Sequence, residues 1–175
     1  MSQPFSMARR LMIPLIIAAV VLLIDQISKA WVLRTWATPY SGEIPIIPGL
    51  LALTYVQNTG VAFGLFTGMS ELFIVTSLII VALAIGLYLR HGPQPAWVGL
   101  CLGLIVGGAL GNVIDRLRFG YVVDFIKTFD GRFPVFNVAD SCVVIGVTLL
   151  ALGLHLQERQ QQPRLQPSVD SDDGA

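Results

Sequence analysis

The sequence predicts an all-α membrane protein of four crossing helices. Four long apolar stretches dominate its 175 residues. Hydrophobic residues make up 54% of the chain and charged ones 13%, with a mean hydropathy of +0.73. A soluble domain carries about 25% charged residues, so this composition fits a polytopic membrane protein of one domain. A further observation concerns the acids. Asp25, Asp115 and Asp140 each lie at the edge of an apolar stretch, and Asp124 lies between the last two. Four crossings place all four at one face. A carboxylate beside hydrocarbon is expensive, so such acids mark a functional site by default.

The first stretch, Leu11 to Ile24, runs on through Asp25-Gln26-Ile27-Ser28-Lys29 to Trp31-Val32-Leu33. Arg9-Arg10 ahead of it resembles the start of a cleaved signal peptide. The run past Asp25 to Trp36, without a clear small-x-small site, favours a retained span. Leu72 to Leu89 is the second stretch, Ala96 to Ile114 the third and Ser141 to Leu156 the fourth. Spanning takes about 20 residues. The second and third come close to that alone. The first and fourth reach it only with their terminal aspartates, which puts those acids at the membrane edge. The third carries Gly99, Gly103, Gly107 and Gly111 at a spacing of four, one stripe for close helix approach.

Arg90 to Pro95 must be a tight turn between the second and third helices. Two longer connections lie on the other side, Arg34 to Glu71 and Leu117 to Asn137. Pro39, Gly42, Pro45, Pro48 and Gly49 read as turns, and apolar Leu50 to Val56 as a strand. Tyr121 to Phe129, then Asp130-Gly131 and Arg132-Phe133, carries a hairpin signal. The polar tail from Gln157 to Ala175 is expected to be disordered, outside a single domain of residues 1–156.

Several chemistries are disfavoured. Net charge is zero and no basic run exists, which speaks against nucleic acid as a partner. Cys101 and Cys142 sit inside apolar stretches and read as small buried hydrophobes. His91 and His155 fall at the opposite end of the bundle from the acids, about 30 Å away. That leaves neither a Ser-His-Asp arrangement nor a histidine cluster for zinc at the acidic face. Two aspartates plus water is the hydrolytic option that remains. Arginines and lysines divide evenly between the two sides, so the positive-inside rule does not orient the chain.

Four polar islands share the acidic face. In the first, Asp25 and Lys29 form an i,i+4 pair, self-neutralising or catalytic. The second, Asn58-Thr59-Gly60-Val61-Ala62-Phe63, has small residues suited to a backbone close to a substrate. The third places Asn112, Asp115 and Arg116 on one helical face, either a site or an arginine-carboxylate pair fixing the helix. The fourth joins Val123-Asp124-Phe125 to Phe136-Asn137-Val138-Ala139-Asp140. Asn137 reads as the N-cap of the fourth helix, with Asp140 at N3 as in a capping box. Asp124 has no such structural role. Two carboxylates brought together in low dielectric share a proton, so one member activates water while the other donates.

These islands, in order and spacing, resemble the lipoprotein signal peptidases, the bacterial signal peptidase II family. The motifs are Asp25-Gln26-Ile27-Ser28-Lys29, Asn58-x-Gly60-x-Ala62-Phe63, Gly107-Gly108-x-x-Gly111-Asn112-x-x-Asp115-Arg116, Val123-Asp124-Phe125 and Phe136-Asn137-x-Ala139-Asp140. The likeness covers about Leu11 to Leu156. It implies an aspartyl endopeptidase of the bacterial cytoplasmic membrane with both termini cytoplasmic and its site near the outer leaflet. Such an enzyme removes signal peptides from prolipoproteins, cutting before a diacylglyceryl-modified cysteine. Asp124 and Asp140 would be the catalytic dyad. Asn58, Gly60, Gly108, Asn112, Arg116, Asn137 and Ala139 would bind substrate or support the site, with Gly108, Ala139 and Ala62 leaving room for acyl chains. Asp25, Lys29 and Asp115 would support the fold. No metal or cofactor is implied. The partners would be a lipid-modified prolipoprotein and membrane lipid, and the unit a monomer. The first long connection would form a small β-structured extracytoplasmic cradle and an interfacial helix on the membrane.

Two other readings compete. A small proton-coupled transporter would spread acids through the membrane depth, whereas the inner halves of these stretches lack them. A structural assembly protein using the glycine stripe would tolerate Asp124→Asn.

Overall fold

The computed structural model describes residues 7–60, 70–92 and 94–161. Its elements in order are α1 (Met7–Thr35), β1 (Glu43–Ile47), β2 (Leu51–Asn58), α2 (Ser70–Arg90), α3 (Ala96–Phe119), β3 (Val122–Thr128) and α4 (Val138–Gln161). All four helices are long and apolar enough to cross a membrane. Apolar sequence in lipid has this one solution for a single segment, because a helix satisfies its own backbone groups. Large side chains such as Leu15, Leu23, Leu83 and Val144 point outward on all sides, as a hydrocarbon solvent permits.

The bundle is built around α3, which packs on each of the other helices. The glycine stripe explains how. A Cβ on Gly103 would stand 2.6 Å from Cβ of Ile17, and one on Gly107 2.8 Å from the Ala18 carbonyl oxygen. The stripe therefore seats α1 almost backbone to backbone. Gly108, one position round, faces the Ala139 carbonyl and Val143 of α4. In α2 only Val81 is buried, and this helix leans on α3 from the side. At the end of the bundle away from the acids, Arg10 donates to the carbonyls of Tyr88 (3.0 Å), His91 (2.5 Å) and Gly92 (2.8 Å). At the acidic end, the Ser70 hydroxyl donates to the carbonyl of Gly120, tying the start of α2 to the end of α3. Gly120 closes α3 with φ 78°, a left-handed cap suited to glycine.

The strands form one antiparallel sheet in the order β1-β2-β3. It packs on the end of α1 through Val32 of the helix and Trp36 just beyond it, Tyr55 of β2, and Val123 and Phe125 of β3. A register shift between Leu53 and Val56 sets Val56 opposite Asp124 and Asn58 opposite Val122.

The expected strand at Leu50–Val56 is present and runs on to Asn58. The turn-rich segment before it also holds an edge strand, β1, with Pro45 at its centre. Proline is tolerated on an edge, where its missing N–H leaves no ladder bond unmade. The Asp-Gly signal gives a reversal but no tight hairpin. Phe129, Asp130 and Gly131 all take positive φ, and the returning chain pairs only at Phe136, with Ile126. β3 pairs instead with β2, far away in sequence. The polar residues from Gln157 continue α4 to Gln161; the rest of the tail lies outside the described residues. The described part of the first long connection, from Trp36 to Gly60, holds no helix, and Val61, Ala62 and Phe63 lie outside the described residues.

Candidate active site

Three helices and the sheet deliver their polar residues to one buried cluster. Asp25 and Lys29 come from α1, Asn112, Asp115 and Arg116 from α3, Asp124 from β3, and Asn137 and Asp140 from the start of α4. Asp25, Lys29, Asp115, Asp124 and Asn137 are each at most 2% exposed.

The cluster has a floor that neutralises itself. The Lys29 ammonium lies 2.8 Å from Asp25 Oδ2 and 2.9 Å from Asp115 Oδ2. Asp25 Oδ1 accepts from the Ala139 N–H of α4, and Asp115 Oδ2 from the Val123 N–H of β3. Gln26 Nε2 donates to Asp115 Oδ1 at 3.0 Å. Buried charge is tolerated where it is paired and its remaining lone pairs are filled. The floor thus ties α1, α3, β3 and α4 together.

Above it lie Asp124 and Asp140. Asp124 Oδ2 accepts from Asn58 Nδ2 at 2.8 Å, and its Oδ1 from Asn137 Nδ2 at 2.7 Å. Asn137 also caps α4: its Oδ1 accepts from the Asp140 N–H at 2.9 Å, while its own N–H donates to Asp140 Oδ2 at 3.2 Å. This is the reciprocal capping box. Asn112 Nδ2 donates to Asp140 Oδ1 at 2.7 Å. One asparagine therefore bridges the two acids, and each carboxylate is held at both oxygens. Burial, and after it the negative charge of Asp140, push Asp124 up to about 7. Near neutral pH such a group both holds and releases a proton, as acid-base chemistry requires.

The same end of the bundle carries the motif order of a known family. A family model described as signal peptidase (SPase) II matches residues 17–156. The chain belongs to the signal peptidase II family. A lipoprotein signal peptidase of Halothermothrix orenii is 49% identical over 145 residues, 82% of this chain and 96% of that one. The one from Streptococcus pyogenes is 40% identical over 153 residues, covering 87% and 97%. A solved bacterial membrane enzyme, determined by the in meso method at 2.3 Å resolution, superposes with a TM-score of 0.79 at 30% identity. It covers 94% of this chain and 98% of its own.

Within this signal peptidase II chain the expected residues divide into four sets. Asn58, Asn112 and Asn137 touch the two acids directly. Asp25, Lys29 and Asp115 form the floor, in which the Asp25–Lys29 pair extends to a second acid. Among the described residues Arg116 makes no salt bridge with a carboxylate, and Asp115 is held by Lys29 instead. The Arg116 Nη2 reaches the Gly60 carbonyl at 3.4 Å, and its guanidinium stacks 5.3 Å from the Phe73 ring. Gly60 itself donates its N–H to Asn58 Oδ1, which turns the chain after β2. Gly108 and Ala139 do not open a space. They meet in the α3–α4 contact, where Ala139 is fully buried. Gln26 was not singled out by sequence, although it lies three positions before Lys29 on the same helical face.

Proposed function

We propose that this chain is an aspartyl endopeptidase working at the membrane edge. It removes signal peptides from diacylglyceryl-modified prolipoproteins and cuts before the lipidated cysteine. The observation that carries the reading is the Asp124–Asn137–Asp140 bridge, two buried carboxylates joined by one asparagine. The curated relatives, themselves lipoprotein signal peptidases, support the substrate class.

One carboxylate, ionised, takes a proton from water as that water attacks the scissile carbonyl. The other, protonated, gives its proton to the developing oxyanion. As the gem-diol collapses and the C–N bond breaks, the first passes the proton taken from water to the leaving amine and the second recovers one from the gem-diol hydroxyl. Asn58 and Asn137 aim Asp124, and Asn112 with the cap aims Asp140. Arg116, held by Gly60 and Phe73 at the rim, offers donors to peptide carbonyls freed when the signal-peptide helix unwinds locally. The substrate is anchored by its acyl chains and reaches the site by lateral diffusion. The enzyme acts as a monomer in the bacterial cytoplasmic membrane, with both termini cytoplasmic and the site near the outer leaflet. A transporter would need an acidic path through the bundle. Asp25, Asp115, Asp124 and Asp140 instead gather at one end.

The test is cleavage of a diacylglyceryl-modified prolipoprotein by purified protein in detergent, without a gradient. Wild type should cleave, and folded Asp124→Asn and Asp140→Asn should each be inactive. Cleavage by either variant removes that acid from the mechanism. An inactive wild type on well-modified substrate overturns the reading.

A further inference from the structure

Lys29 does more than neutralise the floor. The residue is 2% exposed, and its ammonium meets three acceptors: Asp25 Oδ2, Asp115 Oδ2 and Asn112 Oδ1, the last at 2.9 Å. The two carboxylates account for its burial. The third bond goes to a side-chain amide, whose two ends have nearly the same shape but opposite hydrogen-bonding character. An ammonium can only donate. Lys29 therefore holds the Asn112 oxygen toward itself, where it also accepts from Asn137 Nδ2 at 3.1 Å. That leaves the N–H2 end of Asn112 to face Asp140 Oδ1 at 2.7 Å. Turned over, the amide would set its N–H2 against the ammonium and its oxygen against a carboxylate.

Resting on the peptidase reading above, we infer that Lys29 is a positioning residue for the reaction: through Asn112 it keeps a hydrogen-bond donor aimed at Asp140. Its charge acts on the same pair. The charged and titratable groups around the two acids are Asp25 and Lys29 on α1, Asp115 and Arg116 on α3, Asp124 on β3 and Asp140 on α4. Asp25 and Asp115 add negative charge, and Lys29 offsets it. Removing the ammonium takes away an attraction that favours ionised Asp124. The rate profile of a variant without it should move to higher pH.

The experiment compares wild type, Lys29→Met and Lys29→Arg for cleavage of the diacylglyceryl-modified prolipoprotein in detergent between pH 5 and 9. For Lys29→Met, kcat should fall about tenfold or more, with KM within about threefold. Its pH optimum should rise by on the order of one unit. Lys29→Arg keeps donors and charge and should recover most of kcat together with the original optimum. A folded Lys29→Met with the kcat and pH profile of wild type overturns the inference. So does a loss of activity that merely follows the unfolded fraction, with the optimum unmoved. Should Lys29→Met not fold, Lys29→Met/Asp115→Asn removes one charge of each sign and is compared with Asp115→Asn. The double variant should show the same fall in kcat and the same upward movement; equal kcat and optimum in the two overturns the inference. A wild type that does not cleave overturns the peptidase reading and this inference with it. If wild type cleaves and Lys29→Met matches it, the positioning role fails alone.

Discussion

Asp124→Asn measures what the site costs the fold. Burial and the Asp140 charge raise Asp124 from 3.8 to about 7. Between those values the folded chain keeps a proton that the unfolded chain releases. Stability is therefore full below pH 3.8, falls as pH rises, and has lost this contribution above pH 7. From pH 5 to pH 7 the wild type loses about 2 kcal/mol, because the slope of about 1.4 kcal/mol per unit is halved where the folded group is half titrated at pH 7. For a chain of this length that corresponds to about 4–8 °C in the unfolding midpoint. Asparagine has no such proton. It carries a different penalty, because Asp124 accepts from two amides and asparagine offers only one acceptor. An N–H2 set against a donor costs about 1–3 kcal/mol. Wild type should thus be the more stable protein at pH 5, with the gap closing or reversing by pH 8. The assay is thermal unfolding of both proteins in one detergent across that range. Taking the difference cancels groups that titrate alike in both. A difference constant to within a degree from pH 5 to 8 would refute the raised Asp124.

Two further substitutions separate roles that the structure combines. Asn137→Ser keeps a side-chain oxygen for the α4 cap but cannot reach Asp124. It should be about 1 kcal/mol more stable than Asn137→Ala by thermal unfolding, while both lose cleavage about tenfold or more. Gly103→Ala places a methyl 2.6 Å from Ile17 Cβ and should cost about 1–3 kcal/mol in the same unfolding assay, whereas Gly86→Ala, with nothing within 4 Å, should be neutral or mildly stabilising.

The helices and the acids were legible in the sequence because hydrocarbon is an unforgiving solvent. Apolar length fixes a span, and an aspartate at its edge stands out. The Asn137–Asp140 cap could be read as a local pattern at a spacing of three, and the structure has it in both directions. Long-range pairing was less legible. The Asp-Gly signal near Asp130 describes only the turn, whereas β3 chooses β2 as partner across two intervening helices. The arginine-carboxylate alternative shows the same limit. Arg116 makes no salt bridge among the described residues, and a lysine on α1 holds Asp115. Gly108 and Ala139 are small for a reason that sequence leaves open, either room for a ligand or contact between helices. The answer lies in the partner helix, which a one-dimensional pattern does not contain.

Asn137 has a consequence for how the protein is made. Asp124 arrives on β3, after three helices have been synthesised, and its bridge to Asp140 exists only once the first turn of α4 has formed and docked. The residue that starts the last helix is also the one that joins the two acids. A nascent chain lacking α4, or one with α4 inserted but displaced, holds carboxylates without a shared partner. Under the proposed chemistry, hydrolytic competence then waits for the docking of the last helix.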